Sequence, residues 1–191
     1  MPTDRSPDFL DDESVRLFLA WQNGKDRAFD RLYALWRVRL LRWLTGMTRD
    51  AVWAEEIFQE TWMTVIQHRK TYEPRARFGT WLLGVGRSRL IDSARRRGRQ
   101  FSAAALDDAH LAVEDEGADT FDRALLNQYL DAYHRCLPGL SDDQREAFLL
   151  RTQQDLEWSE VAMITQVSAE AARNRFRIAT KKLKGCMGLA L

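Results

Sequence analysis

Hydrophobic residues in this chain recur at steps of three and four, and almost nowhere at strictly alternate positions. Phe29, Leu32, Tyr33, Trp36, Leu40, Trp43, Leu44 and Met47 form one such series. With a helical period they share one face of a long helix, punctuated by Gly46 and the Thr-Arg-Asp that follows. Asp50 is placed to cap a second helix, with Glu55 and Glu56 early in it. Trp53, Ile57, Phe58, Thr61, Trp62, Val65 and Ile66 supply the apolar face of that helix. Residues 71–80, TYEPRARFGT, carry Pro74 and Gly79 and are expected to form a loop. Another helix is expected from about Trp81 to about Arg97.

From Gly98 to about Thr120 the composition shifts to Ala, Asp, Glu and Gly, which marks a linker. Helical periodicity resumes near Phe121 and runs to about Cys136, where Leu-Pro-Gly-Leu stops it. Ser141 and Gln144 make a capping-box pattern opening DDQREAFLLRTQQ. A short segment, WSEVAMIT, a brief turn, QVS, and a long basic helix, AEAARNRFRIATKKLKG, complete the chain. The expected fold class is all-α: two small helical domains joined by an acidic flexible linker.

Composition supports cores and excludes several classes. Hydrophobic residues make up 45% of the 191 residues, enough that wholesale disorder is not expected. The longest apolar runs, such as WLLGV, are far too short to insert in a membrane, and the acidic start MPTDRSPDFLDDESVRLFLA lacks the basic opening of a secretory signal. Cys136 and Cys186 fit no metal spacing, and His68, His110 and His134 stand apart, so no metal or other cofactor is expected. Both cysteines are expected to be reduced, in a cytoplasmic protein.

Charge changes the picture because it is segregated. The formal net charge is only +1. Yet residues 78–100 hold Arg87, Arg89, Arg95, Arg96, Arg97 and Arg99 against Asp92 alone, and residues 170–191 hold Arg173, Arg175, Arg177, Lys181, Lys182 and Lys184 against Glu170 alone. Between them, residues 102–122 carry Asp107, Asp108, Glu114, Asp115, Glu116, Asp119 and Asp122 with no Lys or Arg. The two cationic stretches are each suited to neutralise phosphates and release counterions.

A short helix, a tight turn and a longer basic helix make a helix-turn-helix pattern. Ser168 is placed to cap the second helix, with Ala172, Phe176, Ala179 and Leu183 facing inward. Arg173, Asn174, Arg177 and Lys181 then lie on the other side, where Arg and Asn have the bidentate geometry that reads guanine or adenine edges. Arg175, Lys182 and Lys184 are better placed as phosphate contacts. A solvated amphipathic helix ending in lysines fits the same pattern. The turn holds Gln166 where Gly is common, at a cost of about 1 kcal/mol if the residue is left-handed.

In the first basic stretch, aromatic rings stand beside guanidinium groups. Tyr72, Phe78 and Trp81 suit stacked bases while arginines track a single-stranded backbone. The alternative is that Phe78 and Trp81 are core and the arginines a solvated helix end.

The segments AFDRLY, AEEIFQETWMTVI, FGTWLLGVGRSRLIDSARRR and LSDDQREAFLLR…LEWSEVA together resemble bacterial sigma factors of the extracytoplasmic-function group, in the sigma-70 family. The resemblance covers roughly residues 25–99 and 123–185. It implies a region 2 helical bundle over 25–99, preceded by a lead-in and first helix over 1–24, and a region 4 helix-turn-helix over 121–191, with 100–120 as the acidic linker. That linker would either mimic nucleic acid in polymerase channels or act as a plain tether. By resemblance Glu56, Gln59, Glu60 and Trp62 dock on the clamp coiled coil of the largest subunit of RNA polymerase core, and region 4 meets the flap. Tyr72, Arg77, Phe78, Trp81, Ser88, Asp92, Arg95, Arg96 and Arg97 match the part that captures and melts the −10 element. Ser88 stands where the family pattern has Asn, and Glu157 where Ser or Thr is usual. Ala171, Arg173, Asn174, Arg175, Arg177, Lys181 and Lys182 match the −35-reading helix.

The implied function is promoter recognition and transcription initiation on duplex and single-stranded promoter DNA, for a stress or envelope-signal regulon under anti-sigma control. It is not enzymatic: the paired carboxylates at 55–56 have no nucleophile, metal cluster or glycine-lined cleft beside them. A stand-alone helix-turn-helix regulator would account for residues 140–185 only. An adaptor built of helical bundles is the reading from a different class.

Overall fold

The computed structural model describes residues 8–98 and 120–188. The expected acidic linker, 100–120, and its carboxylates fall almost wholly outside the described residues. Eight α-helices follow in order: α1 (Glu13–Gln22), α2 (Asp26–Thr48), α3 (Ala51–Gln67), α4 (Phe78–Arg96), α5 (Thr120–Cys136), α6 (Asp142–Gln153), α7 (Trp158–Thr165) and α8 (Ala169–Cys186). No strand occurs among the described residues.

The helix ends form where the chain supplies caps. Asp50 accepts from the Trp53 amide at 2.9 Å, Ser168 from the Ala171 amide at 3.1 Å, and Ser141 and Gln144 complete the capping box at the start of α6. α2 runs through Gly46 and stops at Arg49, which is left-handed at φ 56°. Gly46 is therefore no terminator. A Cβ there would lie 2.8 Å from Leu149 Cδ1, so the glycine permits α6 to approach α2. α4 begins at Phe78, inside the expected loop, because Phe78 is wholly buried and its burial anchors the first turn.

Helices α1–α4 form one bundle. Phe18, Leu32, Leu40, Trp43, Leu44, Ile57, Phe78, Leu82 and Leu90 fill it, and α1 contributes Val15 and Trp21 as well. α4 sits so close to α2 that a Cβ on Gly79 would overlap the Trp36 ring, 2.1 Å from Cη2. Helices α6–α8 form the second unit around Leu149, Leu150, Val161, Ile164, Ala172, Ala179 and Leu183, with Phe148 and Phe176 stacked at 5.7 Å.

The cysteine expectation is corrected. Cys136, at the end of α5, and Cys186, at the end of α8, form a disulfide with Cα atoms 5.8 Å apart. They lie 50 residues apart in the chain and only the return of α8 along α5 brings them together, so no spacing motif announces the pair.

Candidate nucleic-acid interface

α7, the turn and α8 make the helix-turn-helix. Gln166 is left-handed, at φ 58°, and its N–H closes α7 on the Ala162 carbonyl. The turn thus keeps the conformation that glycine usually supplies and accepts the cost of a Cβ there. α7 opens after Glu157, and Glu160 at its third position reaches back so that its Oε2 accepts from the Glu157 amide at 3.0 Å, the return half of a capping box.

On α8, Ala172, Ala179 and Leu183 are buried, and Phe176 packs half-buried on Phe148 and Trp158. Arg173, Asn174, Arg177, Lys181 and Lys182 are exposed together on the outer side, and Ala171 is half-buried at the first turn. Arg177 Nη2 donates to Asn174 Oδ1 at 2.9 Å, which orients the amide. Arg175 is different: it turns back to Asp143 of α6 at 2.8 Å and braces the unit. Arg173, Lys181 and Lys182 have no acidic partner among the described residues.

In the N-terminal bundle the expected residues divide. Glu56, Gln59 and Glu60 lie along the outer side of α3, with Glu60 partly covered. Trp62 does not join them: it is 5% exposed, packed among Phe29, Tyr33 and Phe58, and this corrects its expected place on a docking surface. At about 100° per residue it stands about 120° round the helix from Glu56, on the side of Phe58, where its apolar area is better buried.

Tyr72 and Phe78 are also core. Phe78 is fully enclosed between Phe18, Trp36 and Trp81, and Tyr72 packs on Phe18 at 4.1 Å. Burial pushes the Tyr72 phenol up to about 12, so it stays neutral. Neither ring offers a face to a base in this conformation, which corrects the expected three-ring stacking platform. Trp81 alone is partly exposed, held edge-on to Tyr72 at 4.7 Å. The loop before it is fixed from a distance: Gln22 Nε2 donates to the Arg69 and Tyr72 carbonyls at 2.9 and 3.0 Å, and Arg69 reaches the Trp21 carbonyl at 2.6 Å. Sequence inspection passes over Gln22 because its partners lie 47 and 50 residues away.

Arg77, Ser88 and Arg95 are exposed, and Asp92 stands between Arg89 and Arg95 at 4.0 and 3.9 Å. Arg96 and Arg97 at the end of α4 pair with Glu60 and Glu56 of α3. Part of the charge that balances the basic stretch therefore sits on the preceding helix, α3, not only in the acidic segment. No cluster of His, Cys, Asp and Glu among the described residues is placed to hold a metal ion, and no helix there is long and apolar enough to cross a membrane.

A bundle carrying a basic helix, followed by a helix-turn-helix, is the arrangement of a two-module promoter-binding protein. The model for sigma-70 region 2 matches residues 32–100 and that for sigma-70 region 4 matches residues 130–183. The chain is 30% identical over 168 residues to the RNA polymerase sigma factor CarQ of Myxococcus xanthus, covering 88% of this chain and 94% of that protein. It is 26% identical over 156 residues to the extracytoplasmic-function sigma factor SigM of Bacillus subtilis, covering 81% and 92%. Among solved structures, the sigma factor RpoE bound to the anti-sigma factor NepR of Bartonella quintana superposes with a TM-score of 0.67 at 19% identity, covering 85% of this chain and 98% of that one. CnrH in complex with the cytosolic domain of CnrY gives 0.65 at 19%, covering 94% and 100%. The chain belongs to the sigma-70 family, in its extracytoplasmic-function group, and is a sigma factor of transcription initiation.

Proposed function

We propose that α3 docks this sigma factor on the clamp coiled coil of RNA polymerase core through Glu56, Gln59 and Glu60, while region 4 meets the flap. Residues 25–99 form the core-binding and −10 module, 121–191 the −35 module, and 100–120 the tether. In the −10 module Trp81 supplies the ring face and Arg77, Arg95, Arg96 and Arg97 the cations for the non-template strand, with Ser88 and Asp92 beside them. In the −35 module Arg173, Asn174 and Arg177 face base edges, and Lys181 and Lys182 the phosphates. Melting is driven by capture of the opened strand, with no catalytic step by this chain. Two modest DNA-binding modules gain affinity by being held together on the polymerase.

The observation that carries this reading is the pair of modules in one chain, each presenting a basic helix outward. The place of action is the cytoplasm, where polymerase and promoter DNA meet. Two structural neighbours are described as complexes with an anti-sigma factor or a second protein's cytosolic domain, which supports an anti-sigma partner here and a stress or envelope-signal regulon.

Gel filtration with purified bacterial RNA polymerase core, followed by run-off transcription on genomic fragments, tests the reading. Co-elution and discrete new transcripts are expected. Failure to associate, together with sequence-specific binding to palindromic duplex DNA by the protein alone, would favour the stand-alone regulator.

A further inference from the structure

Asn174 and Arg177 stand three residues apart on the outer side of α8, and both are exposed. The helix beneath them is held fast. Ser168 caps its first turn, Ala172 and Ala179 are wholly buried, and Phe176 stacks on Phe148 at 5.7 Å and meets Trp158 edge-on at 5.4 Å. Arg175, between the two residues in the chain, is drawn back to Asp143 at 2.8 Å and leaves the outer side clear.

The bond between Asn174 and Arg177 has a direction. Arg177 Nη2 lies 2.9 Å from Asn174 Oδ1, and a guanidinium has donors only, so the amide oxygen must face it. A free asparagine turns either end of its amide outward. This one keeps its oxygen for Arg177 and presents its NH2 group. Arg177 keeps its remaining N–H groups, and its charge faces a neutral amide rather than a carboxylate. The pair therefore offers nothing but donors where α8 enters a major groove.

Base edges differ in how they answer such a surface. Guanine shows two adjacent acceptors, O6 and N7, whereas adenine sets the N6 donor beside N7. The usual asparagine contact to adenine needs the amide oxygen turned to N6–H and the NH2 group to N7. A carbonyl oxygen has two lone pairs, so the bond from Arg177 does not by itself use up Oδ1. The charge decides the matter: N6–H approaching that oxygen is brought up to a guanidinium already 2.9 Å from it. Cytosine N4–H meets the same opposition. Where the groove excludes water the effective dielectric falls and the opposition grows. Discrimination then comes from repelling the wrong edge as well as holding the right one. We infer that Asn174 and Arg177 act as one donor-only reader that selects guanine in the −35 box, with Arg177 fixing what Asn174 reads. The inference rests on the −35 reading of α8 above.

Both side chains are exposed and alanine is a better helix former than asparagine, so Arg177→Ala and Asn174→Ala leave the module core untouched. Holoenzymes made from bacterial RNA polymerase core and the wild type, R177A or N174A are compared by run-off transcription. The promoters carry each of the four bases in turn at every −35 position, and core binding is followed by fluorescence anisotropy. One −35 position is expected to change its preference. There the wild type takes guanine over adenine by about ten-fold or more. R177A frees the oxygen of Asn174, so adenine becomes the best base at that position. N174A initiates less well and keeps guanine, which Arg177 holds alone. A lower rate in R177A with the order of bases unchanged at every position overturns the inference. So does an R177A holoenzyme that initiates on no promoter, since Asn174 then has no reading of its own. Initiation by the wild type that ignores every −35 substitution overturns the −35 reading of α8, and failure to bind core overturns the sigma reading itself, each taking the inference with it.

Discussion

Arg96 of α4 holds both carboxylate oxygens of Glu60 of α3, at 2.7 and 2.9 Å. Beside it Arg97 pairs with Glu56 and lies over the Trp53 indole, 5.1 Å from the ring centre. The acceptors assigned to polymerase and the arginines assigned to DNA thus engage one another in the free protein. Exposed pairs of this kind contribute about 0–1 kcal/mol, so either side exchanges partners readily.

Replacing Gln59 and Glu60 with Ala should therefore leave the melting temperature nearly unchanged and weaken association with polymerase core by about ten-fold or more. Anisotropy titration checks it. A change confined to promoter choice, with core affinity intact, would place the docking surface elsewhere.

Arg173→Ala and Arg177→Ala should each reduce −35-dependent initiation by about ten- to a hundred-fold, the usual value of a good base contact, and spare core binding. Because Arg177 also holds Asn174, its loss should relax sequence preference more than that of Arg173. Run-off transcription on promoters altered base by base at the −35 box separates the two effects.

Phe78 and Trp81 should part company. Phe78→Ala empties a fully buried site and should cost about 3–5 kcal/mol of stability. Trp81→Ala, from a partly exposed ring, should cost less and instead impair open-complex formation, seen as lost permanganate reactivity of unpaired thymines. Equal unfolding by both variants would make Trp81 a core residue only.

Reducing the Cys136–Cys186 bond should destabilise the −35 module alone. Loop-closure entropy for cysteines 50 residues apart sets a ceiling of about 4 kcal/mol. Thermal melts with and without a thiol reductant, and the same melts on Cys186→Ser, should show one transition move while that of the N-terminal bundle stays. A titre of two free thiols in the untreated protein would remove the bond from the account.

Burial pushes the Glu146 carboxyl up to about 7 from an ordinary 4.5, against the opposing pull of Arg87. Asp143 and Arg145 on its own helix and Arg175 of α8 also face it, and Arg145 is in turn paired with Asp142 beside Arg49. The packed carboxyl therefore binds a proton more readily than a solvated one does, although Arg87 beside it favours the ionised form. Against an exposed carboxyl, the burial of Glu146 contributes stability that is fully present below about 4.5 and is lost as pH rises through about 7, on the order of 3 kcal/mol. Thermal melts should show a higher melting temperature at pH 6 than at pH 8, and Glu146→Gln should flatten that difference. A melting temperature that falls from pH 8 to pH 6 in the wild type but not in Glu146→Gln would refute the assignment.

The helices, their caps and the helix-turn-helix were legible because each depends on neighbours in the chain. Asp50, Ser141 and Ser168 act within three residues, and the apolar faces of α2 and α8 follow the helical period. The same logic fails at Trp62 and Phe78. An aromatic ring near charged residues has the same pattern whether it stacks on a base or on Phe18, and only the packing of α1 against α4 decides which.

The sequence by itself determined the all-helical class, the order of two modules, the basic character of α4 and α8, and the family, since propensity, capping and charge are local properties. Tertiary structure alone decided that Cys136 meets Cys186, that Glu56 and Glu60 neutralise Arg97 and Arg96, and that Glu146 and Glu160 close one module on the other. Those partners are separated by 36 to 80 residues, and no periodicity extends over such distances. What joins them is the burial of apolar area between helices, which fixes the backbone first and leaves each polar side chain to find whichever partner the packing has brought within reach.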